Sequence, residues 1–428
     1  MYKVGLVSLG CAKNLVDSEI ILGMLSSSKF EIVNKPELSD IIIVNTCGFI
    51  EDSKKESIDT ILEMSKYHKK IIVTGCLVER YLDELKASIP EVSLFVPLRD
   101  YGKINSLLEE CLEGSHIVKL NPFNRLLSTP PYTAYLRISE GCDNHCTYCA
   151  IPLIRGDFSS RPLCDIVAEA SILDAAGIKE IVIISQDVTH YGSDLLGKNN
   201  LCNVLQELLK FSFASIRLLY LYPDEISDDL IRLIKNNPHI APYFDIPIQH
   251  ASNRVLKAMN RRGDKEFLLD LFKHIRKEIP NAVLRTTFIV GFPGESETDF
   301  KEILQMLDDV RFDHVGAFTY SREEDTAAYN LPNQLTSIDK NRRLSLLIDK
   351  QKKISYDNNK KRIGEIMEGI VTSFNPQKRL YSFRSYWNAP DDIDGSISFS
   401  STEPVAVGSI VKIKITNAFV YDLYGEKI

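Results

Sequence analysis

Nine cysteines, an odd number in 428 residues, are far too few for a disulfide-stapled scaffold. Long apolar runs are missing too. Stretches such as Ile41 to Val44 and Ile181 to Ile184 are strand-length and cannot cross a bilayer, so no membrane partner is expected. Basic residues are in deficit, 51 Lys and Arg against 58 Asp and Glu, for a formal charge of −7. That argues against a generic nucleic-acid binder, whose affinity rests on phosphate neutralisation. No secretory leader is expected, because Val4 to Leu9 already reads as a strand. Together these absences point to a cytoplasmic protein with reduced thiols. Its 44% apolar and 25% charged residues are ordinary for a globular chain, and its length predicts two or three domains.

What the chain does have is a concentrated cysteine loop, Gly141-Cys142-Asp143-Asn144-His145-Cys146-Thr147-Tyr148-Cys149. The preceding Thr133 to Ser139 alternates apolar and polar residues and reads as a strand, so the loop lies past a strand's carboxyl end. Three thiolates this close can converge on one metal centre. Structural zinc sites and iron–sulfur clusters normally take four protein ligands, so three leave a metal position open. A zinc site completed by His145, or three unrelated thiols, are the alternatives.

Residues 1–120 alternate strand and helix signals. Val4–Leu9, Ile41–Val44 and Ile71–Thr74 read as strands, with helices over 14–26, 51–66 and 79–88. Wholly apolar strands joined by helices predict a parallel sheet covered on both faces. Cys11, Cys47 and Cys76 each stand one to three residues past a strand's carboxyl end, the edge where open α/β sheets bind ligands. Gly10, Gly48 and Gly75 flank them. One such cysteine would be packing; three in register suggest a second metal centre. Cys111, in the helical stretch Ile104 to Leu112, has no such partners.

Residues 121–131 read as a linker. The region 128–360 then offers six strand candidates, Thr133–Ser139, Glu180–Gln186, Ser215–Leu221, Tyr243–Ile248, Ala282–Val290 and His314–Tyr320, with helices between. Six β-α units predict an incomplete parallel barrel with its site at the strands' carboxyl ends. Polar residues recur there: Ser185-Gln186-Asp187, Tyr222-Pro223-Asp224, Gln249-His250, Gly291-Phe292-Pro293-Gly294-Glu295 and Ser321-Arg322-Glu323-Glu324. Gly291 and Gly294 would let backbone approach a ligand closely, and His250 reads as a loop-orienting residue. Arg155, Arg161 and Arg285 either face anionic groups or anchor loops. Cys164 and Cys202 lie off the rim, and residues 339–361 read as a solvated basic helix packed on the barrel.

Residues 362–428 change to short alternating runs punctuated by turn residues, which predicts a small antiparallel β barrel of about five strands. From residue 363 on it carries six basic and eight acidic residues, a sum of −2 that suits a basic protein better than RNA.

The cysteine loop, including Tyr148 just before its last Cys, resembles that of the radical S-adenosylmethionine (SAM) enzymes. There three Cys hold a 4Fe–4S cluster and SAM takes the fourth iron. Three dispersed Cys in an α/β domain ahead of such a loop resemble the methylthiotransferases, and the last region resembles their TRAM domain. The resemblance implies two 4Fe–4S clusters, on Cys142, Cys146 and Cys149 and on Cys11, Cys47 and Cys76. It implies SAM as cofactor, with Tyr148, Gly291 and Gly294 as pocket candidates. Val7 to Glu19, Ile184 to Thr189 and Asp245 to Ala251 resemble the branch that methylthiolates the β-carbon of an aspartate in ribosomal protein S-12. That substrate sits within the small ribosomal subunit, and the reaction implies an electron donor and a sulfur donor. The branch commonly has Pro after its first Cys, where this chain has Ala12. A tRNA adenosine methylthiotransferase is the nearest alternative, and a non-catalytic iron–sulfur module that binds RNA or ribosomes is a further one.

Overall fold

A computed structural model of the chain describes residues 2–113, 115–195, 200–390 and 393–428. Asp391 and Asp392, counted above among the acidic residues of the C-terminal region, lie outside them.

The first unit is a five-stranded parallel sheet in the order β2-β1-β3-β4-β5. Its strands are β1 (Lys3–Ser8), β2 (Glu31–Ile32), β3 (Ile41–Thr46), β4 (Lys70–Gly75) and β5 (Leu94–Val96). Helices α1 (Ala12–Ser27) and α4 (Ile104–Cys111) pack on one face; α2 (Glu51–Ser65) and α3 (Cys76–Ser88) pack on the other. β3 is buried along its whole length, which is why it carries an unbroken apolar run rather than an alternating one. The two edge strands, of two and three residues, are too short to leave a pattern in the sequence.

The second unit joins two three-stranded parallel sheets. β6 (Thr133–Arg137), β9 (Glu180–Ile184) and β10 (Ser215–Leu218) form one; β11 (Tyr243–Asp245), β12 (Val283–Val290) and β13 (His314–Thr319) form the other. A parallel bridge between Ile216 and Ile240 links them. No ladder pairs β6 with β13 among the described residues, so the six strands make an open barrel. A short antiparallel pair, β7 (Ser139–Glu140) and β8 (Ser159–Ser160), flanks the cysteine loop, with α5 (Ile151–Arg155) between them. Helices α6 (Leu163–Ala175), α7 (Leu201–Leu208), α8 (Asp228–Asn236), α9 (Asn253–Ala258), α10 (Lys265–Glu278) and α11 (Glu297–Val310) follow, and α12 (Ser337–Lys361) packs against α11 and β13. The short α9 has no counterpart in the sequence reading.

The third unit is a closed barrel in the order β14-β15-β16-β18-β17, from β14 (Ile366–Asn375), β15 (Leu380–Ser385), β16 (Ile397–Ser400), β17 (Ile410–Ala418) and β18 (Leu423–Lys427). Four pairings are antiparallel and one, β16 with β18, is parallel. Strand directions cannot alternate all the way round a ring of five, so one parallel pair is required.

The three units share a core. One apolar cluster contains Ala12, Val16 and Ile20 of α1, Val182 and Tyr243 of the open barrel, and Met367, Phe383 and Trp387 of the closed one. Residues 121–131 form a packed strap rather than a free linker. Leu126 N donates to Glu19 O at 3.0 Å. Arg125 pairs with Glu19 at 2.6 Å and also with Glu169. A Cβ on Gly23 would stand 1.8 Å from Asn124 O. These contacts are polar and backbone-mediated, so no hydrophobic period announces them. Among the described residues no helix is long and apolar enough to cross a membrane.

Candidate metal centres

The strands that precede Cys11, Cys47 and Cys76 are neighbours in the sheet, in matched register: Ser8 faces Asn45, and Thr46 faces Gly75. The three cysteines therefore emerge side by side at one edge. Cys11 caps α1 and Cys76 opens α3, so two helix N-termini, favourable to anions, point at the group. A Cβ on Gly10, whose φ is +86°, would stand 2.9 Å from Cys47 Cβ and 3.1 Å from its Sγ. Only glycine leaves that space. Asn14 ties the edge together. Its Nδ2 donates to Leu9 O at 3.1 Å and Thr46 O at 2.9 Å, and Cys76 Sγ lies 3.3 Å from its Oδ1.

Cys142, Cys146 and Cys149 lie beyond the carboxyl end of β6, as the pattern predicted. The loop is pinned by its backbone: Cys142 N donates to Gly156 O at 3.2 Å, Thr147 N to Met259 O at 3.0 Å, and Ala328 N to Thr147 O at 2.8 Å. Each sulfur has a side-chain or backbone N–H donor nearby. Asn144 Nδ2 is 3.5 Å from Cys142 Sγ, Arg261 Nη1 is 3.7 Å from Cys146 Sγ, and Ile151 N is 3.4 Å from Cys149 Sγ.

Burial dominates the electrostatics of both groups. It pushes the Cys76 and Cys149 thiols up to about 12 and raises Cys47 and Cys142 as well; the Arg155 guanidinium partly opposes it at Cys76. Such thiols ionise readily only beside added positive charge, which a metal provides. Among the described residues no three His, Cys, Asp or Glu side chains converge tightly enough to hold one metal ion, and His145 is exposed. With His145 turned to solvent, each group offers three thiols and no fourth protein ligand among the described residues, a donor set that suits an iron–sulfur cluster with one open position better than a closed zinc site.

Comparison with known proteins agrees with this geometry. Residues 3–97 match the uncharacterized protein family UPF0004, 136–307 the radical SAM superfamily, and 363–428 the TRAM domain. The ribosomal protein uS12 methylthiotransferase RimO of Clostridium botulinum (strain Eklund 17B / Type B) is 47% identical over 99% of this chain and 98% of its own length. The RimO of Clostridioides difficile (strain 630) is 46% identical over 100% and 99%.

The chain belongs to the RimO family.

Among solved structures, the radical SAM methyltransferase TsrM from Kitasatospora setae, with cobalamin and a [4Fe-4S] cluster bound, superposes with a TM-score of 0.56. It is 14% identical and covers 89% of this chain and 80% of that one, which is a likeness of fold.

The remaining sequence candidates fall into three groups. Tyr148 packs on the cluster of Val255, Met259, Phe292, Tyr320 and Ala328, to which the Gly291–Glu295 loop contributes Phe292. Gly291 and Gly294 both have φ of +76°; the missing Cβ of Gly291 admits Lys340 Cγ, while Gly294 is nearly open. Glu295 Oε2 accepts from Gly291 N at 2.7 Å and Phe292 N at 3.2 Å, and Arg343 of α12 braces Glu295. His250 accepts from Ser252 N at 2.9 Å, as a loop-orienting residue does. The three arginines anchor structure. Arg155 pairs with Asp17 at 2.8 Å, Arg161 with Glu169 at 2.6 Å, and Arg285 with Asp245 at 2.7 Å.

The sequence reading missed the polar seam between sheet and barrel. Lys13, Asn14 and Asp17 of α1 are buried. Asp17 binds Arg137 at 2.6 Å as well as Arg155, and Arg155 Nη2 reaches Asn14 Oδ1 at 2.5 Å and Cys76 Sγ at 3.6 Å. On another side Arg80 and Lys54 grip Glu323 of the barrel rim at 3.0 and 3.2 Å. The signal was there in the density of polar residues along the first two turns of α1. Their partners on the barrel lie more than a hundred residues away, so spacing could not reveal them.

Proposed function

We infer that the chain methylthiolates the β-carbon of an aspartate in ribosomal protein S-12. One observation carries the reading: two separate trios of thiols, one on a sheet edge and one on the barrel mouth joined to it by Arg155 and Asp17, in a RimO-family chain matched along its whole length. Cys142, Cys146 and Cys149 would hold the SAM-binding 4Fe–4S cluster, and Cys11, Cys47 and Cys76 a second. When bound, these groups with SAM supply the one-electron chemistry and the sulfur that attack on an unactivated C–H bond requires and that side-chain acids and bases cannot provide.

The chain's own residues position and enclose that chemistry. Asn144, Arg261 and the Ile151 amide donate to the sulfurs of the loop trio. Gly10 and Asn14 shape the sheet-edge trio. Tyr148, Gly291 and Gly294 would line the SAM pocket. The division into 1–120, 128–360 and 362–428 assigns the second cluster to the first unit, SAM to the second and substrate docking to the third. Arg384 and Asp394 of the closed barrel are taken up by Glu180 and Arg285 of the open one. Setting them aside leaves five basic and seven acidic residues over 363–428, still −2. That favours a basic protein over tRNA as the docked partner. An electron donor, a sulfur donor and a cytoplasmic setting that keeps thiols reduced complete the proposal.

The test is intact-mass analysis of S-12, with methylthio content of tRNA, from cells with and without this protein. Loss of the methylthio mass from S-12 alone is the expected result. If S-12 keeps that mass and tRNA loses it, the chain is a tRNA enzyme.

A further inference from the structure

Lys13 is 6% exposed and sits on α1 two residues after Cys11. Its side chain leaves the sheet and crosses to the barrel mouth. Nζ donates to Ser185 O at 3.3 Å and stands 3.7 Å from the centroid of the Tyr220 ring. Ser185 directly follows β9 and Tyr220 lies just past β10, both at the carboxyl rim. An ammonium has three N–H donors. One carbonyl and one ring face engage two.

No carboxylate lies within ion-pair distance of Lys13 among the described residues. The nearby acids are already taken. Asp17 binds Arg137 and Arg155 at 2.6 and 2.8 Å, and Glu140 binds the same two at 2.8 and 3.3 Å. Three cations therefore share two carboxylates in one buried seam. A buried ammonium with no carboxylate of its own is costly unless negative charge is brought to it, from Cys11 on the sheet side when that thiol is ionised and from a ligand on the barrel side. This one lies between the sheet-edge thiols and the barrel mouth, where the reacting carbon of the substrate has to sit, and Cys11 beside it is exposed.

We propose that Lys13 binds the carboxylate of the substrate aspartate, as a specificity-determining residue that presents the neighbouring β-carbon between the two centres. The proposal rests on the reading that the substrate is an S-12 aspartate. An ammonium at this position selects Asp over Asn, because only the carboxylate supplies the missing negative charge.

The experiment compares methylthiolation of S-12 carrying the natural target Asp with S-12 carrying Asn there, by the reconstituted parent and by Lys13→Met. Met keeps an apolar stem over Tyr220 and removes the charge. The parent should prefer Asp by about a hundredfold in kcat/KM or more, and Lys13→Met should compress that preference to within about tenfold, chiefly through KM. The metal-free Lys13→Met protein should also unfold at a higher temperature than the parent, since an unpaired buried charge is gone. A purely structural lysine gives a different pattern: stability falls and the preference stays. An unchanged preference overturns the proposal, including the case where Lys13→Met shifts only the reduction midpoint of the sheet-edge centre. If Lys13→Met does not load iron, Lys13→Gln takes its place under the same criterion. A parent that leaves S-12 unmodified fails the functional reading itself, which is a separate result.

Discussion

Cys142, Cys146 and Cys149 come from eight consecutive residues, whereas Cys11, Cys47 and Cys76 come from three strand ends spread over 66. The first trio is made by one loop whose backbone is pinned at Gly156, Met259 and Ala328. The second exists only when β1, β3 and β4 lie in register. The difference teaches how each can fail. A loop site is lost by local change; a sheet-edge site depends on the whole parallel sheet and on α1. In the function proposed above, the loop trio would initiate the reaction and the sheet-edge trio would decide what is transferred.

Removing one cysteine from each trio is the strongest way to break the comparison. The reconstituted parent should carry about eight irons per chain, and each single-trio knockout about four. Cys142→Ala should abolish 5′-deoxyadenosine formation from SAM, measured by chromatography. Cys47→Ala should stop thiolation of S-12 while deoxyadenosine still forms. Full thiolation by Cys47→Ala would end the two-centre reading, and zinc in place of iron would end it sooner.

Two glycines sharpen the contrast at smaller cost. Gly141 has φ of +69°, and a Cβ there would stand 1.9 Å from Asp157 O; at Gly10 the nearest atom is a cysteine side chain. Backbone cannot yield as a side chain can. Both Gly→Ala changes cost roughly 1–2 kcal/mol for the left-handed conformation alone. Gly141→Ala should add a clash that displaces the loop and lower the thermal midpoint further. Gly10→Ala should act on Cys47 and show mainly as lost iron in the sheet-edge centre. Equal iron loss from both centres in both variants would contradict the division.

Legibility in the sequence follows the same line. The loop trio was readable because its spacing is local. The sheet-edge trio was readable because strand periodicity placed all three cysteines on one edge. All six barrel strands were found, since each is a strand-length apolar or alternating run followed by polar or turn residues. The polar seam was not readable. Leu15, Ile20, Ile21, Met24 and Leu25 give α1 one apolar stripe, and a stripe says nothing of what covers the other faces. In the fold its polar residues Lys13, Asn14, Asp17, Ser18 and Glu19 are buried as well, because partners from the strap and the barrel close over them. β18 leaves little local signal for a related reason: its Leu-Tyr-Gly-Glu-Lys run becomes a strand only through pairing with β16 and β17.

The finest test concerns the two guanidiniums that touch the trios. Arg155 lies 3.6 Å from Cys76 Sγ and shares Asp17 and Glu140. Arg261 lies 3.7 Å from Cys146 Sγ and stacks on Tyr222 at 4.0 Å. Its other strong contact is Pro247 O at 2.5 Å, and no carboxylate pairs with it among the described residues. A nearby cation stabilises the more negative, reduced state of a cluster and raises its midpoint. At Arg155 two carboxylates cancel much of that field; at Arg261 nothing does. Arg261→Gln should therefore lower the midpoint of the loop centre by more than Arg155→Gln lowers that of the sheet-edge centre. Each is read by EPR-monitored redox titration in a chain lacking the other trio. Equal shifts, or a larger one at the sheet edge, would mean that burial rather than uncompensated charge sets the two centres apart.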